Sequence, residues 1–96
     1  MKNVVYMIED AFGRVKIGTT QDLRSRLRAI RTATGRDHIL IRKLPGGRAV
    51  EKWLHDRFAA QRTVGEWFQY TSEMLDVIPP NDGPPEQADW SMFVGC

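Results

Sequence analysis

Val4-Val5-Tyr6 … Val15-Lys16-Ile17-Gly18-Thr19-Thr20-Gln21-Asp22-Leu23-Arg24-Ser25-Arg26 is the stretch that decides the fold. It reads as a strand, a tight turn, a second strand and the first turns of a helix. Val4 to Glu9 is rich in β-formers, Asp10-Ala11-Phe12-Gly13 supplies the turn, and Val15 to Gly18 returns. If Glu9 faces Gly13, Tyr6 faces Lys16, and Val5, Met7, Val15 and Ile17 share the other, core-forming face. Gly18 has no side chain, so a ligand or another backbone can approach it closely.

Downstream, Thr20 or Asp22 can cap the helix and Gly35 can end it. Leu23, Leu27, Ile30 and Thr34 form its apolar stripe. Arg24, Arg28 and Arg31 cluster on one flank, and Arg26 lies on the opposite flank near the buried face. His38 to Leu44 reads as a third strand, and Pro45-Gly46-Gly47 as a turn. Arg48 to about Ala60 reads as a second helix with Val50, Trp53, Leu54 and Phe58 inward. Glu51 and His55, four apart, sit together at the edge of that face. Thr63-Val64-Gly65 is expected to be a loop. Glu66 to Tyr70 is expected to be a short extended or turn segment with two large rings to bury. Ser72 would cap a last short helix to Val77.

Ninety-six residues make one small domain with one core. Residues 1–78 hold all 14 Lys and Arg and nine of the 12 acids; residues 79–96 hold the other three acids and no base. Four of the five prolines lie between Pro79 and Pro85. The expected organisation is a folded domain over 1–78 and a flexible, Pro-rich acidic tail over 79–96. Trp90 and Phe93 in that tail are candidates to dock back over the basic face. A basic body suits a polyanion partner. No apolar run approaches transmembrane length and no basic-then-apolar leader is visible, so no membrane association is expected. The only cysteine is Cys96, which excludes an internal disulfide. These features predict a cytoplasmic protein.

Three groups of residues carry chemistry, and each has a plainer reading beside it. An ammonium at Lys16 near the phenol of Tyr6 would favour the phenolate and make it a base. The same pair also reads as a half-buried Tyr beside a snorkelling Lys. Arg26 can hold two phosphate oxygens at once, or be a surface arginine. Glu51 is the type of ligand Mg²⁺ takes, with His55 within reach, or the two form an ordinary i, i+4 pair. There is no His-Glu-x-x-His, no Cys cluster and no second acid in register, which argues against zinc. Arg24, Arg28, Arg31 and Arg36, with Arg42 and Lys43, can track a nucleic-acid backbone or form a solvated face. Glu66-Trp67-Phe68 reads as core.

Taken in order, these pieces resemble the GIY-YIG nuclease superfamily over Val4 to Leu75, in particular the short phage and bacterial branch with Lys in the second motif. Val4-Val5-Tyr6 stands for Gly-Ile-Tyr, and Lys16-Ile17-Gly18 for Tyr-Ile-Gly. Asp22-Leu23, Arg26, the helix from Ala49 to Phe58 and Gly65-Glu66-Trp67-Phe68 follow. The resemblance implies an α+β fold, a small three-stranded antiparallel sheet flanked by helices. It implies a DNA endonuclease using one Mg²⁺ or Mn²⁺ and no small-molecule cofactor, acting in a bacterial host cell. Residue by residue, Tyr6 becomes the general base, Lys16 its phenolate partner, Arg26 the phosphate ligand, Glu51 the metal ligand and His55 an accessory group. The family's histidine one turn after the arginine is Ile30 here, and no asparagine lies between Gly65 and Val77. These departures keep open a non-catalytic nucleic-acid- or protein-binding module on the same fold.

Overall fold

The short segments late in the chain, read from sequence as loop and turn, complete the sheet. In the computed structural model, which describes residues 2–80, the order is β1 (Val4–Glu9), β2 (Arg14–Thr20), α1 (Leu23–Thr34), β3 (Ile39–Pro45) and α2 (Arg48–Arg57). A 3₁₀ turn at Ala59–Gln61, β4 (Arg62–Val64), β5 (Trp67–Gln69) and α3 (Glu73–Asp76) follow. The five strands form one antiparallel sheet in the order β3-β1-β2-β5-β4. The fold is α+β as expected, with two strands more than the three predicted. β4 and β5 have three residues each. Three residues are too few to show a period of two, and their strand character comes from pairing, β5 with β2 and β4 with β5. The tail from 81 to 96, with its expected flexibility and its docking residues, lies outside the described residues.

The β1–β2 hairpin differs from expectation by two residues of register. Tyr6 pairs with Gly18, Ile8 with Lys16 and Glu9 with Val15. The Asp10 carboxylate accepts from the amides of Phe12 (2.8 Å) and Arg14 (2.9 Å) and from Arg14 Nε (2.9 Å). This Asx-type turn opens the loop to Asp10–Gly13, with Gly13 at φ 77°. An even shift leaves every side chain on its predicted face. Val5, Met7, Val15 and Ile17 therefore do form the core, with Val50 and Leu54 of α2, Phe58 just past its end, Phe68 and Met74.

Asp22 caps α1 by accepting from Ser25 N (3.1 Å), and Gly35 ends it in the left-handed region. No residue of α1 is buried, so its Leu23, Leu27 and Ile30 stripe is only half covered. Thr34, predicted in that stripe, is exposed and donates to Ile30 O (2.8 Å). α2 stops at Arg57, because Phe58 turns the chain into the 3₁₀ turn. Arg57 pairs with Glu73 and ties α2 to α3. Ser72 makes no side-chain cap to α3, contrary to expectation. Of the two rings expected to be buried together, Phe68 is core and Trp67 is not. Alternation along β5 sends them to opposite faces.

A candidate active site at the open edge of β2

β5 pairs with β2 only from Arg14 to Lys16. Beyond that the ladder to β5 ends, and Ile17 on the β2 edge takes partners from outside the sheet, where Glu51, His55 and Glu66 gather. Glu66, in the β4–β5 turn, accepts from Ile17 N through its backbone oxygen (3.1 Å). His55 of α2 takes the Ile17 carbonyl through Nε2 (2.8 Å). Arg62 reaches the other ring nitrogen, Nδ1 (3.3 Å), while its Nε donates to Gly65 O (2.8 Å). A carbonyl on one side and a guanidinium on the other fix the tautomer: Nε2 carries the proton and Nδ1 accepts. His55 is thus committed to holding α2 and the β4–β5 turn against β2.

Glu51 lies one turn before His55, with Oε2 3.8 Å from Nε2. Its carboxyl is raised above the ordinary range. Burial is the main cause, and the charge of Glu66 adds to it; His55 and Arg48 offset part. A side-chain hydrogen bond to Glu66 raises it further. Two carboxyls this close favour sharing a proton or gaining a cation. Glu66 was missed from sequence and assigned to the core. It is 15 residues past Glu51 on a turn too short to read, and only the sheet edge brings the two together. Lys16 pairs with Glu66 (3.2 Å) rather than with Tyr6. Arg48, Glu51, Lys52, His55, Asp56, Arg62 and Glu66 line an open cleft of about 700 Å³.

Tyr6 is 1% exposed, across the strand from Gly18. A Cβ on Gly18 would lie 2.6 Å from the phenol oxygen and 2.7 Å from Cζ. Gly18 therefore makes room for the Tyr6 ring rather than for a ligand. Burial pushes the phenol above its ordinary range; Arg26 opposes this, while Glu66 and Glu51 reinforce it. The phenolate expected from a neighbouring Lys16 is not what the resting site favours, because the register places Lys16 opposite Ile8. Tyr6, Arg26, Glu51 and Glu66 still belong to one electrostatic cluster.

The predicted basic residues divide. Arg24, Arg26 and Arg28 are exposed on α1. Arg31 is exposed and paired with Asp37 (2.8 Å), and Arg36 lies over Phe12. Arg42 is half-buried and donates to Met74 O (3.0 Å), a structural bond that removes it from a phosphate-tracking surface. No helix among the described residues is long and apolar enough to cross a membrane. Among the described residues no group of three or more His, Cys, Asp or Glu is arranged to hold a metal.

Residues 3–79 match the family model described as the T5orf172 domain. No curated protein and no solved structure matches the chain.

Proposed function

Because the chain belongs to the T5orf172 domain family over residues 3–79, we propose that it is a divalent-metal-dependent DNA endonuclease of the GIY-YIG type. Family membership supports a nuclease or DNA-binding role. The observation that carries the finer reading is that Glu51 and Glu66 line one cleft beside Ile17, whose amide and carbonyl are held by the Glu66 backbone and the His55 ring.

The donor set fits a divalent ion. Burial, and then the charge of Glu66, hold Glu51 above its ordinary range, a state that a cation relieves. Mg²⁺ takes one or two carboxylates and keeps several waters, so Glu51, with Glu66 beside it, suffices. When bound, Mg²⁺ or Mn²⁺ would polarise the scissile phosphate and stabilise the charge that grows on it.

The remaining tasks fall to the chain itself. Arg26, exposed on the first turn of α1, offers a two-pronged donor to the phosphate oxygens. Tyr6 takes the proton of the attacking water as the water oxygen bonds to phosphorus; the bond from phosphorus to the leaving ester oxygen breaks, and that oxygen takes a proton from bulk water. Burial is the main force against the phenolate; Arg26 favours it, and the charges of Glu66 and Glu51 add to the opposition in the resting state. Neutralising those two carboxylates leaves Arg26 the dominant charge at the phenol. Lys16 then acts on Tyr6 indirectly, by holding Glu66. His55 positions α2 through Ile17 rather than touching the reacting atoms. The exposed Arg24 and Arg28 supply sequence-independent phosphate contacts.

The test is nicking of supercoiled plasmid with Mg²⁺, with Mn²⁺ and with EDTA. Wild type should nick only with metal, and Glu51→Gln and Tyr6→Phe should not nick while remaining folded. Equal nicking by Glu51→Gln would sink the reading. Tight, salt-sensitive DNA binding without nicking in any lane would instead favour the non-catalytic binding module, the role open to a fold that carries Ile30 in place of histidine.

A further inference from the structure

A second cleft, of about 420 Å³, opens between the β1–β2 turn, the α1–β3 loop and β5. Its walls are aromatic and cationic in alternation. Phe12, at the tip of the turn, is 65% exposed. The Arg14 guanidinium sits between two rings, 5.7 Å from the Phe12 centroid and 5.6 Å from that of Trp67. Arg36 covers Phe12 at 5.3 Å, and His38 meets Trp67 with ring centroids 5.8 Å apart.

We propose that this cleft is a nucleobase pocket that takes one unpaired base by stacking against Phe12 and Trp67, with the adjoining phosphate held by Arg36. The inference rests on the DNA-directed reading above and adds the state of the DNA to it: a strand with an unstacked base. Volume is the first argument, since the cleft falls within the range of about 300–1,000 Å³ typical of small-ligand sites. Ring chemistry is the second. A site for anions alone has no use for an exposed Phe12, whereas every base presents a flat π-face to a ring or a guanidinium. The third is the pairing of Arg14. Its Nε is already taken by the Asp10 carboxylate at 2.9 Å, so its plane is free to stack while its charge is balanced. Burial works against the charge on Asp10. The amides of Arg14 and Phe12 and the Arg14 guanidinium outweigh it and hold the carboxyl below its usual range, which keeps the pair intact.

Position is the fourth argument. Trp67 follows Glu66 in the chain, and Lys16 bridges the two clefts. Its Nζ is 3.2 Å from the Glu66 carboxylate and 5.7 Å from the Trp67 ring centroid. A base held on Trp67 places its own backbone beside the Glu51–Glu66 edge. This matches the general way in which enzymes gain selectivity for single-stranded, mismatched or branched DNA, where the cost of unstacking is lowest.

The test is anisotropy of a labelled single-stranded 12-mer, and of the same sequence as a duplex, against the full chain in EDTA at low salt. Phe12→Ala should weaken single-strand binding by about 5- to 100-fold, the loss of one base stack. It should leave duplex affinity within about twofold, because phosphate contacts dominate there. Phe12→Tyr should restore the single-strand affinity. An unchanged melting temperature identifies the loss as one of contact, since Phe12 is outside the core. Equal loss on both DNAs, or no loss on either, would overturn the pocket. So would an acidic peptide that binds with the same Phe12 dependence while DNA does not. Failure of the plasmid assay with Phe12-dependent single-strand binding intact would reject hydrolysis and leave the pocket standing.

Discussion

Tyr6 lies directly across from Gly18 in the β1–β2 ladder, and its ring occupies the space a side chain at Gly18 would need. Gly18 is therefore the seat of the Tyr6 ring. Gly18→Ala forces the Tyr6 ring to move, since the new Cβ would come within 2.7 Å of Cζ. The expected cost is about 1–3 kcal/mol in urea unfolding, typical of overpacking, with loss of nicking. Wild-type stability and activity in this variant would show that the ring is not seated there.

Glu51→Gln should stabilise the chain while removing cleavage. Unfolded Glu51 titrates in the ordinary carboxylate range, and folded Glu51 above it. Above the raised folded value, ionised Glu51 therefore costs stability. As pH falls through that value into the ordinary range, the cost disappears. Gln mimics the protonated form and can donate to Glu66. The gain should be about 0.5–2 kcal/mol at pH 7 in EDTA, a size common for the removal of functional strain, and should shrink towards zero near pH 4. Unfolding curves at the two pH values check it, and a destabilised variant at pH 7 would refute it.

His55→Ala removes the only side-chain bond to Ile17 O seen among the described residues and leaves a half-buried carbonyl unpaired. A loss of about 1–3 kcal/mol is expected. His55→Gln, whose amide can still donate, should recover part of the stability. If the histidine instead acts on the reacting atoms, Gln would restore folding and not activity, so unfolding and nicking are measured on the same preparations.

Among the arginines, Arg24→Ala and Arg28→Ala should each lower the slope of log affinity against log salt by about 1, as loss of one phosphate contact does. Arg31→Ala should lower it less, because Asp37 already holds that guanidinium at 2.8 Å. Arg26→Ala should leave stability within about 0.5 kcal/mol, since the side chain is exposed. It should cut the cleavage rate by about 10²–10³-fold, the scale for losing one transition-state donor. Duplex titrations in NaCl and single-turnover nicking read these effects. Equal slopes for all three α1 variants would exclude a helix-borne phosphate track.

By itself, the sequence determined the local elements whose signals are near-neighbour. The alternating β-formers of Val4–Glu9, the Asp22 cap, the Gly35 terminator and the Val50, Leu54, Phe58 face each arise from residues within two turns or one hairpin. The ordered segments also singled out Glu51 and His55, one helical turn apart, as neighbours at the edge of the α2 face. What only the tertiary structure decided depends on contacts distant in the chain or on registers that no single segment encodes. The Asp10 loop moved Lys16 from Tyr6 to Ile8, an even slip that hydrophobic pattern cannot detect because both registers bury the same face. Pairing of β5 with β2, and of β4 with β5, turned two three-residue segments into strands. That pairing carried Glu66 against Glu51 and left Trp67 on the opposite face from the core. The second carboxyl of the candidate site and the Trp67 wall of the neighbouring cleft are thus products of strand pairing: the docking of β5 on β2 puts Glu66 beside Ile17 and Trp67 beside Lys16.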